Sequence, residues 1–142
     1  MKDILKMDIL SKPQNEGFAR AAVAAFVARL NPTLEEINDI KTAVSEAVTN
    51  SVVHAYSNQE GLIHISVEID EKRVEISIVD DGDGIEDIVK AREPLFTTRP
   101  HDERSGMGFT FMELFMDRLE VESVKGEGTT VIMEKQIGGN DK

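Results

Sequence analysis

The sequence contains no cysteine, no tryptophan and no long apolar run. The absence of cysteine excludes disulfide bonds and thiolate metal sites, and it is compatible with a reducing compartment. The longest wholly apolar run, residues 21–28, is much shorter than the roughly 20 residues that a membrane-spanning helix needs. The N-terminal stretch carries acidic residues among its apolar ones, unlike a signal peptide. These absences predict a cytoplasmic protein with no membrane partner.

Basic residues are few compared with acidic ones. The chain has 16 Lys and Arg against 27 Asp and Glu, which gives a net charge of −11. Proteins that bind nucleic acids usually carry a basic patch, so we expect no direct nucleic-acid partner. The length of 142 residues corresponds to one domain. We therefore expect a single domain over residues 1–137 and a frayed tail at 138–142.

The spacing of apolar residues predicts eight elements and one long connection. Period-two alternation predicts strands at 3–10, 62–69, 73–79, 119–124 and 129–137. Helical periodicity predicts helices from about 15 to Leu30, from Leu34 to Ala55, and from near Gly106 onwards, the last with a core stripe of Phe109, Met112, Phe115, Met116 and Leu119. Thr33 and Glu36 have the spacing of a capping box. The order predicts a two-layer α/β sandwich, in which helices cover one face of a mixed, mostly antiparallel sheet.

The polar connection at about 85–105 contains Pro94 and Pro100 and shows no sustained periodicity. A connection of this length inside a compact domain usually has a function, often as a lid. We therefore expect residues 85–105 to form a lid over a binding site.

The first helix is apolar on all sides apart from one charge. One stripe carries Phe18, Ala22 and Ala25, and the opposite side carries Val23, Ala24 and Val27 with Arg20. A helix that is apolar all round is buried on two sides or binds a partner. An arginine ringed by apolar groups is typical of an interface. We therefore expect the Arg20 face to contact partner proteins, unless a second layer of the domain covers it.

Glu46 and Asn50 are the first candidates for chemistry. Their spacing of four places both side chains on one side of the second helix, away from its core stripe. A carboxylate and an amide there are compatible with an ordinary solvated face. They are also compatible with a general base beside an oxygen ligand for Mg²⁺, which prefers oxygen and keeps several waters.

An acidic, glycine-containing segment, Asp80-Asp81-Gly82-Asp83-Gly84, directly follows the third predicted strand. It is either a simple turn or a carboxylate at a strand end that accepts a hydrogen bond from a ligand amine. The glycines would let the backbone pass close to a planar ring. A calcium loop of the EF-hand type is excluded, because the required glycine and glutamate spacing is absent.

Two further glycine motifs lie towards the C-terminus. Arg104-Ser105-Gly106-Met107-Gly108-Phe109 stands at the start of a helix, where free backbone N–H groups favour phosphate. A flexible hinge is the alternative. Gly126-Glu127-Gly128-Thr129-Thr130 fits an ordinary hairpin turn and needs no function of its own.

The order and spacing of these motifs together resemble the GHKL ATP-binding superfamily, whose members include type II topoisomerase, Hsp90, MutL and histidine-kinase ATPase domains. The resemblance rests on Glu46-x-x-x-Asn50, Asp80-x-Gly82-x-Gly84, Gly106-x-Gly108 and Gly128-Thr129. Within the superfamily, the segments FARAAVAAFVARL, IKTAVSEAVTNSVVHAY, EPLFTTRP and ERSGMGFTFMELFMD are similar to the sporulation anti-sigma serine kinases. The resemblance implies the GHKL (Bergerat) fold, ATP or ADP and Mg²⁺ as ligands, and a homodimer. It also implies that the chain binds a sigma factor and phosphorylates a serine of an anti-anti-sigma factor.

The resemblance also implies roles for individual residues. Glu46 matches the general base and Asn50 the Mg²⁺ ligand. Asp80 matches the carboxylate that binds the adenine amino group, and Thr129 supports that contact. The remaining matches are the adenine-side wall at Gly82 and Gly84, the lid at Pro94 to Thr98 including Thr97 and Thr98, and the phosphate turn at Ser105, Gly106, Met107, Gly108 and Phe109, with Arg104 beside it.

Two alternatives to a kinase stay open at this point. The chain could be a nucleotide-gated module that binds its sigma factor with little transfer activity, or an ATPase that hydrolyses ATP for conformational work. A carboxylate beside Asn50 favours the kinase, because a pure binding module has no use for a base there.

Overall fold

The computed structural model describes residues 2–56, 60–82 and 108–138, with the side chains of residues 54 and 55 excepted. Within these residues, five strands form one sheet: β1 (Lys2–Leu10), β2 (Leu62–Asp70), β3 (Arg73–Asp80), β4 (Arg118–Val124) and β5 (Gly128–Gln136). Three α-helices of the described part of the chain accompany it: α1 (Asn15–Val27), α2 (Leu34–Asn50) and α3 (Gly108–Phe115). A 3₁₀ turn (Ala28–Leu30) extends α1, and a π turn (Ser51–Ala55) extends α2.

The sheet has the strand order β1-β2-β3-β5-β4, and each of its four pairings is antiparallel. The prediction of a mixed sheet is therefore corrected to an antiparallel one within the described residues. The hairpin between β2 and β3 needs only Glu71 and Lys72, with Glu71 at a φ of 56°. The predicted lid at 85–105 lies outside the described residues.

The core lies between the sheet and the helices. Because successive strand residues point to opposite faces, one face of the sheet is apolar and buried, formed by Ile63, Ile65, Val67, Ile69, Val74, Ile76, Ile78, Val131 and Met133. The helix α2 packs against this layer through Ile40, Val44 and Val48, and it contacts both α1 and α3. The predicted two-layer sandwich, with helices on one face, is confirmed.

The outer face of the sheet is polar and carries cross-strand ion pairs. Glu134 on β5 accepts hydrogen bonds from Arg73 at 2.8 Å and from Arg118 at 2.8 Å, on the strands to either side. Arg73 holds the pKa of Glu134 below its usual value. This face needs no second layer of helices.

Helix α2 begins at the predicted cap. The Thr33 hydroxyl accepts from the Glu36 backbone N–H at 3.0 Å, and the Glu36 carboxylate accepts from the Thr33 N–H at 2.9 Å. This capping box satisfies backbone donors that a helix start leaves free. The preceding 3₁₀ turn ends at Asn31, which adopts the left-handed conformation that asparagine tolerates.

Two predictions about the helices are corrected. Ala19, Val23 and Val27 are the buried side of α1, whereas Phe18 is 60% exposed. The side expected to surround Arg20 at a partner interface therefore belongs to the core. Helix α3 ends at Phe115, so that Leu119 lies on β4 and not on the helix. Among the described residues, no helix has the length and apolarity needed to span a membrane.

Candidate nucleotide site

Asp80 ends strand β3 as a buried carboxylate, with only 5% of its surface exposed. Its Oδ1 accepts from the backbone N–H groups of Gly82 at 3.0 Å and Thr129 at 3.2 Å. Its Oδ2 accepts from the Ser51 hydroxyl at 2.9 Å. An ionised carboxylate has about four acceptor positions. Three donors therefore leave Oδ2 able to accept one more hydrogen bond, from a group such as an amine.

The environment of Asp80 favours its neutral form more than water would. Burial raises the pKa of Asp80, and the nearby charge of Asp81 acts in the same direction. The hydrogen bonds from Gly82, Ser51 and Thr129 oppose this shift. These donors are therefore what keeps a buried carboxylate available as an acceptor.

The start of β5 is fitted to Asp80. Asp80 and Thr129 are register partners across β3 and β5. Gly128 has a φ of 103°, and a Cβ at this position would lie 2.1 Å from the Asp80 carbonyl oxygen. Only glycine fits there. The hydroxyls of Thr129 and Ser123 lie 2.8 Å apart and tie β5 to β4. The turn at 126–130 is thus both a hairpin and a support for Asp80.

Glu46 and Asn50 meet the first residue of helix α3. A Cβ built on Gly108 would lie 3.4 Å from Glu46 Oε1 and 4.0 Å from Asn50 Oδ1. Both side chains are half-buried. Phe109 is buried in the core and anchors the start of α3 beside them. The structure therefore brings together a carboxylate, an amide oxygen and a helix start, which belong to two separate motifs of the sequence.

This arrangement suits phosphate and a hard cation. Mg²⁺ prefers oxygen ligands and commonly takes one or two from the protein and others from phosphates and water. Asn50 Oδ1 offers such an oxygen, and a helix start offers backbone N–H groups to phosphate. The residues present thus fit an Mg²⁺–nucleotide complex.

Ser51 connects the two parts of the site, and sequence reasoning missed its role. It follows Asn50 directly, while its hydroxyl bonds Asp80. Helical periodicity places Ser51 on the apolar side of the second helix, and it is indeed buried. A hydroxyl in an apolar stripe needs a partner, and that requirement was the available signal.

Tyr56 is a second residue that sequence reasoning missed. Its hydroxyl donates to the Leu62 carbonyl at 2.7 Å and accepts from the Asp81 N–H at 2.7 Å. Burial raises the pKa of Tyr56, so the phenol stays protonated at neutral pH. Only its identity as the chain's single tyrosine marked it in the sequence.

Two further predicted residues lie in the described part of the chain, one beside Asp80 and one away from it. Gly82 turns the chain after β3 and donates to Asp80. Arg20 lies on α1, where it contacts Glu16 and the Ser45 hydroxyl, each at 3.3 Å, and it stays half-exposed. The predicted residues outside the described part of the chain are Gly84, Thr97, Thr98, Arg104, Ser105, Gly106 and Met107.

Known proteins share this sequence pattern and fold. The model of the histidine kinase-like ATPase domain matches residues 9–135. An anti-sigma F factor of Clostridium beijerinckii is 60% identical over 134 residues, which cover 94% of each chain. One from Caldanaerobacter subterraneus is 58% identical over 138 residues, which cover 97% of this chain and 96% of the relative.

Solved structures agree on the fold. The RsbU and RsbW domains of Rv1364c from Mycobacterium tuberculosis align with a TM-score of 0.66 at 19% identity, over 95% of this chain and 32% of that one. The catalytic domain of the histidine kinase ThkA aligns with a TM-score of 0.57 at 16% identity, over 95% and 96% of the two chains. The chain belongs to the histidine kinase-like ATPase family and, within it, to the anti-sigma F factors. Nucleotide binding follows from this membership.

Proposed function

We propose that this protein binds a sigma factor and uses ATP to phosphorylate a serine of the anti-anti-sigma factor that opposes it. The observation that carries the kinase activity is the meeting of Glu46, Asn50 and Gly108 at one point. A site that only bound nucleotide would need no carboxylate beside its metal ligand. The anti-sigma F names of relatives with similarity over nearly the whole chain support the sigma-binding role.

Nucleotide orientation would come from Asp80. Its Oδ2 would accept from the exocyclic amino group of adenine, which guanine lacks at the same position. The Thr129 N–H and the Ser51 hydroxyl would hold the carboxylate while it does so. The α2 end and the start of α3 would then receive the phosphates.

The transfer itself would be an in-line displacement. The serine oxygen of the antagonist forms a bond to the γ-phosphorus, and the bond from that phosphorus to the β,γ-bridging oxygen breaks to release ADP. Glu46 accepts the proton of the serine hydroxyl. Mg²⁺, held by Asn50 and the phosphates, would supply charge neutralisation. Such transfers depend mainly on positioning and electrostatics.

The partner surface would include Arg20. The Arg20 side chain is half-exposed at the α1–α2 contact, so it can reach a partner even though Val23 and Val27 are buried. Arg20→Glu should weaken binding to the sigma factor or the antagonist and leave ADP affinity unchanged. Lys12→Glu, an exposed charge reversal just before α1, is the matched control. Unchanged binding of both partners to Arg20→Glu would contradict the proposal.

One labelling experiment separates the three candidate functions. The full chain is incubated with γ-labelled ATP, with and without the sigma factor and the antagonist, and label is located by mass spectrometry. Label on an antagonist serine supports the kinase. Nucleotide-dependent capture of the sigma factor without label supports the gated binding module. Free phosphate without any partner supports an ATPase. Sedimentation equilibrium of the same sample tests the expected homodimer.

A further inference from the structure

The π turn at the end of α2 brings two hydroxyl groups to the last residue of strand β3 and to the residue that follows it. The Tyr56 N–H bonds the Ser51 carbonyl at 3.2 Å, which closes a turn of five residues in place of four. In a regular α-helix, residues five apart lie about 140° apart around the axis. The wider turn brings residue 56 back towards the side of residue 51. Turns of this kind are rare in proteins, and those that occur are often found at functional sites.

The two hydroxyls contact consecutive residues. The Ser51 hydroxyl donates to Asp80 Oδ2 at 2.9 Å, and the Tyr56 hydroxyl accepts from the Asp81 N–H at 2.7 Å. One contact holds the carboxylate, and the other holds the backbone directly after it. Asn50, the residue before the π turn, faces Gly108 at the opposite part of the site.

The ring of Tyr56 is itself held in place. A Cβ on Gly61 would lie 2.5 Å from the ring, so the ring lies directly against this glycine. The hydroxyl donates its single proton to the Leu62 carbonyl at 2.7 Å, which leaves its oxygen as the acceptor for Asp81. Its orientation is thus determined on both sides by main-chain groups.

We propose that Ser51 and Tyr56 are positioning residues that form a clamp across the π turn, and that this clamp holds Asp80 in the orientation that binds the adenine amino group. The inference rests on the proposed role of Asp80. The clamp also couples adenine binding to the α2 end that carries Asn50, because a shift of the π turn would move both hydroxyls at once.

The test compares Ser51→Ala, Tyr56→Phe and the double variant in the full chain. Each single change removes one hydroxyl and keeps the remaining shape of the side chain. Ser77→Ala is the matched control, because it removes a hydroxyl from β3 on the outer face of the sheet. ADP affinity is measured by calorimetry between about pH 5 and pH 8, and folding is checked by urea unfolding.

We expect each single change to weaken ADP binding by about 3- to 10-fold at neutral pH, the loss typical of one hydrogen bond. The fold-loss of ADP affinity in the double variant should be smaller than the product of the two single fold-losses, because both hydroxyls hold the same segment. The control should bind ADP as the unaltered protein does.

The pH profile distinguishes positioning from general destabilisation. Ser51→Ala removes a donor that opposes the effect of burial on Asp80, so ADP binding should fail at a higher pH on the acidic side. Tyr56→Phe acts on the backbone of Asp81 and should leave that midpoint in place. The ionisable groups that flank Asp80 are Asp81 and Tyr56. His64 lies one step further away, with its Nε2 3.3 Å from Asp81 Oδ2. A variant that loses binding only because it unfolds in acid would show that unfolding in the urea measurement made at the same pH.

Asp80→Asn, measured alongside, separates failure of the clamp from failure of the proposed site. ADP affinities of all three clamp variants within about twofold of the unaltered protein, with binding lost in Asp80→Asn, would overturn the clamp only. Normal ADP binding by Asp80→Asn would overturn the adenine site and the clamp with it. If Ser51→Ala does not fold, the affinity of Tyr56→Phe decides the question.

Discussion

The two ends of helix α2 differ in how the helix is terminated. At its start, Thr33 and Glu36 exchange side-chain and backbone hydrogen bonds in a complete capping box. At its end there is no glycine cap and no basic residue in the last turn, and the chain continues into a π turn. Backbone groups at both ends of the helix form hydrogen bonds. At the start the partners are close in sequence, whereas at the end side-chain hydroxyls also bond residues at the end of strand β3.

This difference separates stability from function within one helix. Natural sequences usually agree with local preferences and depart from them at functional sites. The start of α2 agrees with them and contacts no predicted ligand residue. The end of α2 departs from them and carries Glu46, Asn50, Ser51 and the link to Asp80. Substitutions at the two ends should therefore affect different measurements.

The largest effect is expected from Glu46→Gln. The amide keeps the size of the side chain but cannot take the serine proton, and loss of a positioned general base typically costs about 10²- to 10⁴-fold. Single-turnover phosphorylation of the antagonist should fall by at least about two orders of magnitude, while ATP affinity and sigma binding stay near normal. Glu35→Gln, at the exposed start of the same helix, is the control and should transfer normally. Near-normal phosphoryl transfer by Glu46→Gln would show that Glu46 has no catalytic role. Loss of ATP binding would show that Glu46 contributes to nucleotide binding instead.

A smaller effect is expected from Asp80→Asn. An amide presents either its oxygen or its NH₂ group, and a hydrogen bond to a charged acceptor is worth about 1.5–3 kcal/mol. ATP and ADP affinity should both fall by about 10- to 100-fold in calorimetry. Asp81→Asn removes a neighbouring, exposed carboxylate and keeps the backbone N–H that Tyr56 accepts from, so it serves as the control. ADP binding that is equally weak in both variants would show that charge alone, and not the position of Asp80, matters.

Thr33→Ala tests the structural end of α2. Loss of an N-cap side chain typically costs about 1 kcal/mol, which urea unfolding measures directly. Nucleotide affinity should not change, because the capping box lies at the opposite end of the helix from Asn50. Thr33→Ser keeps the hydroxyl and should restore most of the stability. A loss of ADP affinity that parallels the loss of stability would show that the start of α2 also contributes to nucleotide binding.

The smallest effect concerns His64, on the outer face of the sheet. Its Nδ1 lies 2.8 Å from Asp8 Oδ1, and its Nε2 lies 3.3 Å from Asp81 Oδ2. The hydrogen bond with Asp8, and to a smaller extent the one with Asp81, raises the pKa of His64 above its ordinary value of 6.5. Lys6, the nearest cation along β1, pairs in register with Ser66.

Because the folded protein favours the imidazolium, its contribution to stability is complete below about pH 6.5 and is lost as the pH rises through the raised pKa. The free energy of unfolding should therefore decline slightly from about pH 6 to pH 8. His64→Gln should remove that slope and leave ADP affinity at neutral pH unchanged. An unaltered slope in His64→Gln would assign the pH dependence to another group.

Much of the fold follows from short-range patterns. The alternation in β2 and β3, and the Thr33–Glu36 spacing, each specify a local structure that depends on neighbours in sequence. The site could be predicted only as separate motifs. Glu46 and Asn50 are one helical turn apart, but nothing local places Gly108 against them. The role of Ser51 depends on Asp80, which lies 29 positions further along the chain.

Local sequence patterns specify the identity and order of the described helices and strands, because backbone periodicity and caps depend on neighbours in sequence. Tertiary structure decided which side of α1 is buried, since an apolar helix offers two sides and only packing against α2 and the sheet chooses Val23 over Phe18. It also decided the environment of Asp80, because the register of β3 with β5 brings Thr129 to the carboxylate and the π turn brings Ser51. Burial and hydrogen bonding act through space, and folding alone brings these residues together.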